Sequence, residues 1–171
     1  YSNNAIFFQK KNKFIAVGDV FLKQGDSLEL NCDSLNYNGK IKKFFSYGKV
    51  SLINNKTKLN SNELFYDREN NIASFFNGGN IIDSLTTIQS EKGDYLLDFD
   101  KYKFRNNIVV TNPNYVIESE SLDYVIGQEK TYFLESTKIT GDSYEIICKR
   151  GFYDGRLKRG HFLDDATINM N

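Results

Sequence analysis

The chain has 171 residues and a mass of 19.7 kDa, enough to bury roughly 70% of its unfolded surface without the help of disulfides. Hydrophobic residues make up 40%, with 14 Phe and 11 Tyr against a single Pro, which excludes both disorder and collagen-like repeats. Lys plus Arg is 22 and Asp plus Glu is 22, so no net field draws a polyanion, and nucleic acid is excluded as a partner.

No apolar run reaches the roughly 18 residues of a membrane-spanning helix, and no signal-type segment opens the chain, so Tyr1 reads as a processed or artificial start. Residues 3–13 are polar and basic apart from Ile6, Phe7 and Phe8, and are expected to form the damaged first rung of a longer array. The chain then repeats itself with a period of 29. Tyr37, Tyr66, Tyr95, Tyr124 and Tyr153 share one register, and one further step back lands on Phe8. Seven residues before each tyrosine is Leu30, Leu59, Ile88, Ile117 or Ile146; five before is Cys32, Ser61, Ser90, Ser119 or Cys148; nine after is Phe75, Phe104, Phe133 or Phe162. The first unit departs from the last row, with Ser46 in place and Phe45 beside it, which predicts a local register shift of one.

Turn residues keep the same beat. Gly25-Asp26, Asn54-Asn55, Asp83-Ser84, Asn112-Pro113 and Gly141-Asp142 precede the tyrosines, and Asn38-Gly39, Asn70-Asn71, Gly127 and Asp154-Gly155 follow them. Asn-Gly and Asp-Gly are the preferred hairpin turns, so each unit is two antiparallel strands. Within one strand the alternation changes phase: Tyr115, Ile117 and Ser119 share one parity, Leu122 and Tyr124 the other. Side chains alternate with period two, so the slip marks a bulge or corner at the small Cys/Ser row. The expected fold is all-β: an antiparallel stack folded over on itself, V-shaped or taco-like, related to an open, twisted jelly roll and built from about five 29-residue repeats. No linker interrupts it, so residues 1–171 are expected to be one domain, itself a fragment of a longer array.

The lining of that stack follows from the rows: Leu30, Leu59, Ile88, Ile117 and Ile146 on one leaf, with Leu52, Ile81, Val110, Ile139, Ile168 and the aromatic row Phe75, Phe104, Phe133 and Phe162 contributed by the return strands. At roughly 4.8 Å per strand the lining extends on the order of 50 Å, the length of a channel. A repeat protein buries such a core whether or not it binds anything, so the rows are a groove or a plain core. The tyrosines, at strand ends, are expected to be half-buried with wet hydroxyls.

Catalytic chemistry is absent from the pattern. There is no phosphate loop and no nucleophile–histidine arrangement, and a single His161 with two cysteines cannot complete a tetrahedral metal site, so neither enzyme activity nor a cofactor is expected. Glu118 and Glu120 share the solvent face, and Asp164 with Asp165 lack the further oxygens that calcium requires. Cys32 and Cys148 stand four periods apart and are not expected to pair. The two ends carry no cap, which predicts self-association by strand addition. Three functional classes fit: a lipid carrier, a non-catalytic assembly or adhesion module, or a carbohydrate-active β-solenoid enzyme.

Particular residues carry a resemblance. Gly18-Asp19-Val20 with residues 28–37 (LELNCDSLNY), Gly48-Lys49-Val50 with residues 59–67 (LNSNELFYD), residues 113–124 (PNYVIESESLDY) and residues 148–154 (CKRGFYD) resemble OstA-like proteins. That is the family of the lipopolysaccharide-transport protein LptA and of the periplasmic domains of LptC and LptD. The Asn/Lys-rich composition and regular repeat resemble its Bacteroidetes-type members. The resemblance implies a periplasmic bridge that passes lipopolysaccharide or lipid A toward the outer membrane in a hydrophobic groove, with LptC/LptD-like β-domains added end to end. The ligand comes from the resemblance; the residues supply only the lining.

Overall fold

The computed structural model describes residues 1–170; Asn171, the last residue of the expected domain, lies outside them. Apolar–polar alternation with aromatic and β-branched enrichment produces strands almost throughout. In chain order they are β1 (Asn4–Phe8), β2 (Lys13–Gln24), β3 (Leu28–Asn38), β4 (Lys43–Asn54), β5 (Thr57–Asp67), β6 (Ile72–Phe75), β7 (Gly79–Asp83), β8 (Thr86–Ser90) and β9 (Lys92–Leu96). There follow β10 (Lys101–Asn112), β11 (Tyr115–Val125), β12 (Lys130–Phe133), β13 (Thr137–Gly141), β14 (Tyr144–Cys148), β15 (Arg150–Asp154), β16 (Arg159–Leu163) and β17 (Thr167–Met170). All seventeen join one antiparallel sheet.

The sheet is folded along a corner into two leaves. The long strands β2, β3, β4, β5, β10 and β11 run across both, while elsewhere the corner divides one crossing into two short strands, as β6 with β7. At the first crossing two residues of β2, Gly18 and Asp19, oppose the single Asp33 of β3, a bulge that turns the strand. The two residues have φ of 80° and 46°; their counterparts Gly48 and Lys49 have 74° and 47°, and Asn106 and Asn107 have 67° and 50°. That left-handed pair is why Gly, Asn and Asp recur there. The Cys/Ser row stands at this corner, as the parity slip predicts. Its serines span it: the hydroxyls of Ser61, Ser90 and Ser119 donate to the carbonyls of Glu63, Lys92 and Ser121.

One leaf faces the interior with aliphatic residues and the other with the phenylalanine and tyrosine rows, so the names aliphatic leaf and aromatic leaf are used below. In the aromatic leaf, large and small residues alternate across neighbouring strands: Gly93 stands between Phe75 and Phe104. A Cβ at Gly79 would come within 2.8 Å of the Phe75 ring, so glycine is the residue that lets the phenylalanine lie flat.

Three local expectations are corrected. First, Asn38-Gly39 and Asp154-Gly155 do not form two-residue hairpins, and neither glycine has positive φ. Each open edge of the aromatic leaf turns on four residues and closes on a left-handed residue: Asn12, Lys42, Asn71, Asp100, Glu129 or Lys158, with φ between 45° and 52°. The preceding Asn or Asp caps the turn instead: the Asn38 side-chain oxygen accepts from the Lys40 amide, that of Asp67 from Glu69 and Asn70, and that of Asp154 from Leu157. Second, Ser46 causes no register shift. It pairs with Leu35 and Leu64, is 1% exposed, and stands in the aromatic row itself, while Phe45 faces outward against Phe65. Third, the tyrosine register steps back from Tyr37 to Phe7, not to Phe8, because Phe7 pairs with Phe14 and Phe14 with Tyr37. The extra residue lies in the turn at residues 25–27, three long where the turn between β4 and β5 has two.

The N-terminal residues form a partial rung that stops opposite Phe21, short of the ladder position Leu22, as expected of a damaged one. β1 pairs with β2 along the aromatic leaf, and on the other leaf Tyr1 exchanges two backbone hydrogen bonds with Phe21, at 2.7 and 2.9 Å. β1 and β17 stand at opposite edges, and both are exposed throughout their length.

Candidate functional site

The interior between the leaves is the candidate site. An aliphatic ladder crosses eleven strands without a break: Leu22 is opposite Leu30, then follow Leu52, Leu59, Ile81, Ile88, Val110, Ile117, Ile139, Ile146 and Ile168, each beside the next. Period-two alternation holds every one of these side chains on the inner face. Phe75, Phe104 and Phe133 face them from the aromatic leaf. The expected lining residues are all buried except Phe162, which is half-buried, and Ile168, which is exposed on the edge strand. Leu59, Ile81, Phe75 and Phe104 are fully inaccessible, whereas Leu30 and Ile146, nearer the two ends, retain 8% and 9% exposure.

That gradient reflects unequal closure along the stack. Near the N-terminus the leaves stand apart around a cavity of about 320 Å³, lined by Leu22, Leu28, Leu30, Leu52, Phe44, Leu64, Tyr66 and Leu97, with Lys23, Gln24 and Arg68 at its rim. Toward the C-terminus a smaller cavity of about 140 Å³ lies between Ile117, Ile139, Ile146 and the rings of Tyr115, Tyr144, Tyr153 and Phe162. A crevice of about 330 Å³ opens along the mouth above Ile88 and Val110, with a polar border. Phe44, Leu64 and Leu97 escaped the sequence reading because they lie outside the residue rows that the period singled out.

Between these spaces the mouth is closed by hydrogen bonds from leaf to leaf. The Asn54 amide donates to the Tyr95 hydroxyl at 2.7 Å, and that hydroxyl donates on to Asp100 at 3.3 Å. One repeat later the Tyr124 hydroxyl donates to the Asp83 carboxylate at 2.8 Å. Tyr102 stacks on Tyr95 between them, with ring centroids 4.2 Å apart. Tyr95 and Tyr102 are 1% exposed, so these tyrosines are buried and Tyr95 and Tyr124 are bonded across the interior, contrary to the expectation of wet hydroxyls; Tyr37, Tyr66 and Tyr153 do remain half-buried. Burial pushes the Tyr95 phenol up to about 12, and raises Tyr102 and Tyr124 as well.

Among the described residues the remaining titratable groups form no second site. Glu118, Glu120 and His161 are exposed; Asp164 and Asp165 pair with Arg150 and Lys149; Cys32 and Cys148 are buried free thiols whose pKa values burial raises. Among the described residues no cluster of three or more metal-ligating side chains is found, and no helix is long and apolar enough to cross a membrane.

A family model described as OstA-like protein matches residues 1–120. The chain belongs to the OstA-like family. The family is one of bridging proteins in lipopolysaccharide transport, periplasmic and non-enzymatic. No curated protein matches this OstA-like chain. Among solved structures it is similar to LptH, described as the LptA homologous periplasmic component of the lipopolysaccharide transport device from Pseudomonas aeruginosa, at 11% identity and a TM-score of 0.34. The match covers 84% of the OstA-like chain and 93% of LptH.

Proposed function

We propose that this chain is a non-catalytic carrier that holds the acyl chains of lipopolysaccharide or lipid A between its leaves and bridges them toward the outer membrane. The observation that carries the reading is the unbroken aliphatic ladder, buried in its middle and opening at both ends into apolar cavities. Each methylene moved from water onto such a surface gains about 0.8 kcal/mol, and a ladder open at two places provides attraction without one deep trap. The exposed edge strands β1 and β17 support end-to-end addition of a second copy or of LptC/LptD-like β-domains, since unpaired backbone groups there accept a further strand. On this reading residues 1–171 are one carrier domain. The closed middle favours the competing reading of a plain assembly module, and one comparison separates the two.

Ile117→Asp places a carboxylate in the ladder, whereas Glu118→Lys alters the neighbouring residue on the outer face. A photo-crosslinkable lipid A analogue is expected to label the parent and the folded Glu118→Lys variant equally and the Ile117→Asp variant much less, with circular dichroism confirming that each is folded. Ile139→Ser, a milder change at the C-terminal cavity, serves if Ile117→Asp does not fold. The carrier reading fails if folded ladder variants are labelled as well as the parent, or if the parent takes no label.

A further inference from the structure

Resting on the carrier reading, we infer that the interior is not one continuous channel but two acyl-chain sites divided by a tyrosine clasp, each taking the chain of an anionic amphiphile. Three independent features converge on this division.

The first is the position of the clasp. Asn54 with Tyr95 and Asp83 with Tyr124 are both pairs 41 residues apart, so the same cross-leaf bond is made twice, one repeat apart. The units on either side lack it. On the N-terminal side the equivalent strand position is Gln24, which borders the open cavity, and the Tyr66 hydroxyl turns away to donate to Asn71 at 2.9 Å. On the C-terminal side Asn112 donates to Thr86 at 3.0 Å, and Tyr153 borders the mouth crevice. The clasp therefore spans only the middle of the stack.

The second feature is packing. Leu59 and Ile81, the ladder residues under the clasp, are 0% exposed and line none of the three spaces described above, while Leu30 and Leu52 line the N-terminal cavity and Ile139 and Ile146 the C-terminal one. An acyl chain cannot pass between Leu59 and the tyrosines without parting the leaves, which breaks both clasp bonds.

The third is charge along the open edge of the aromatic leaf. The turn at residues 9–12 carries Lys10 and Lys11, that at 39–42 carries Lys40 and Lys42, and that at 155–158 carries Arg156 and Lys158. The turn at 68–71 carries one charge of each sign, Arg68 and Glu69, and the next two are acidic: Asp98 and Asp100 at residues 97–100, and Glu129 at 126–129. Glu69 and Glu29 pair with Lys42 and Lys23 at the N-terminal end, and Arg156 of the C-terminal turn reaches toward Glu129 of the neighbouring middle turn; Arg68 lines the N-terminal cavity itself. The facing edge of the aliphatic leaf carries only single charges at its turns, Asp26, Lys56 and Asp142, in the reverse order and too few to cancel the pattern, so an anionic headgroup is attracted above both sites and repelled above the clasp.

The test uses doxyl-stearate, one acyl chain with a carboxylate and a nitroxide, and reads the methyl NMR signals of the whole chain, since the nitroxide broadens only what it approaches. In the parent, broadening is expected at Leu30 and Leu52 and at Ile139 and Ile146, and not at Leu59 or Ile81. In Tyr95→Phe/Tyr124→Phe, which keeps the rings, broadening is expected to spread to Leu59 and Ile81, because each lost bond shifts the closed-to-open ratio by roughly tenfold. The uncharged methyl ester is expected to broaden the end signals less than the acid does. The division is refuted if the parent's Leu59 and Ile81 broaden as strongly as the end residues, or if the double variant leaves them sharp; attraction of anions is refuted if ester and acid behave alike. If no methyl broadens at all, it is the carrier reading that falls. A second, lipid-free readout keeps the clasp itself testable: hydrogen exchange of the Leu59 and Ile81 amides is expected to quicken in the double variant, and unchanged exchange means that the tyrosine bonds do not hold the leaves together.

Discussion

The middle of the stack and its N-terminal third are made from the same unit and behave as opposites. In the middle, Phe75, Phe104, Tyr95 and Tyr102 share one core with Leu59 and Ile81 and have no accessible surface to speak of; at the N-terminal end, Ser46 occupies the phenylalanine position and a cavity of about 320 Å³ lies nearby. Two small changes accompany the difference. A three-residue turn at 25–27 replaces the two-residue turn of the next unit, and Gln24 replaces Asn54 or Asp83 opposite the tyrosine row. A repeat fold can thus carry a local opening without altering its ladder, because closure depends on contacts between leaves while the ladder depends on contacts within one.

The sharpest way to break this comparison is truncation on each side of it. Phe104→Ala, in the closed middle, is expected to cost about 3–5 kcal/mol, whereas Phe44→Ala, beside an existing cavity, is expected to cost about 1–2 kcal/mol. Urea unfolding of both variants checks it, and equal losses mean that the two regions are equally packed.

An alkaline titration comes next. Tyr95 rises from 10.0 unfolded to about 12 folded, so the folded state holds this proton more tightly. Its contribution is fully present below about pH 10 and is lost as pH climbs from there through about 12. Thermal melts across this window are expected to fall more steeply for the parent than for Tyr95→Phe, and parallel curves would exclude Tyr95 as a source of the loss.

The smallest effect belongs to the open end. Ser46 buries a hydroxyl that makes no hydrogen bond by ordinary geometry, with the Cys32 thiol close by. Ser46→Ala removes that group and is expected to raise stability by about 1 kcal/mol. A loss of stability instead would mean that the hydroxyl has a partner.

What the sequence disclosed, and what it withheld, divides along the same line. The ladder, the corner row and the folded-over sheet were legible because each is a pattern within one leaf: Leu59, Ile88 and Ile117 recur every 29 residues, and the parity slip between Ser119 and Leu122 exposes the bend. The clasp was not legible. Its members lie 41 residues apart, a spacing that no multiple of 29 produces, and Asn54 and Asp83 read equally well as turn residues. The extra residue at 25–27 was hidden for a related reason: it falls before Tyr37, so every ruler laid from the tyrosines onward keeps its 29-residue beat, and only the backward step to Phe8 in place of Phe7 betrays it. Asn38-Gly39 misled because the capping of a four-residue turn and the start of a two-residue hairpin draw on the same dipeptide.

The antiparallel ladder, in which each strand bonds mainly to its neighbours in sequence, also has a mechanical consequence. Pulled from its two ends, such a chain does not shear as a block; it peels like a zip, one unit at a time, because the bonds at the edge bear the load in turn. Each released unit of 29 residues lengthens the chain by roughly 100 Å at 3.3–3.6 Å per residue. The two clasped units, tied across as well as along, are the teeth at which the zip catches.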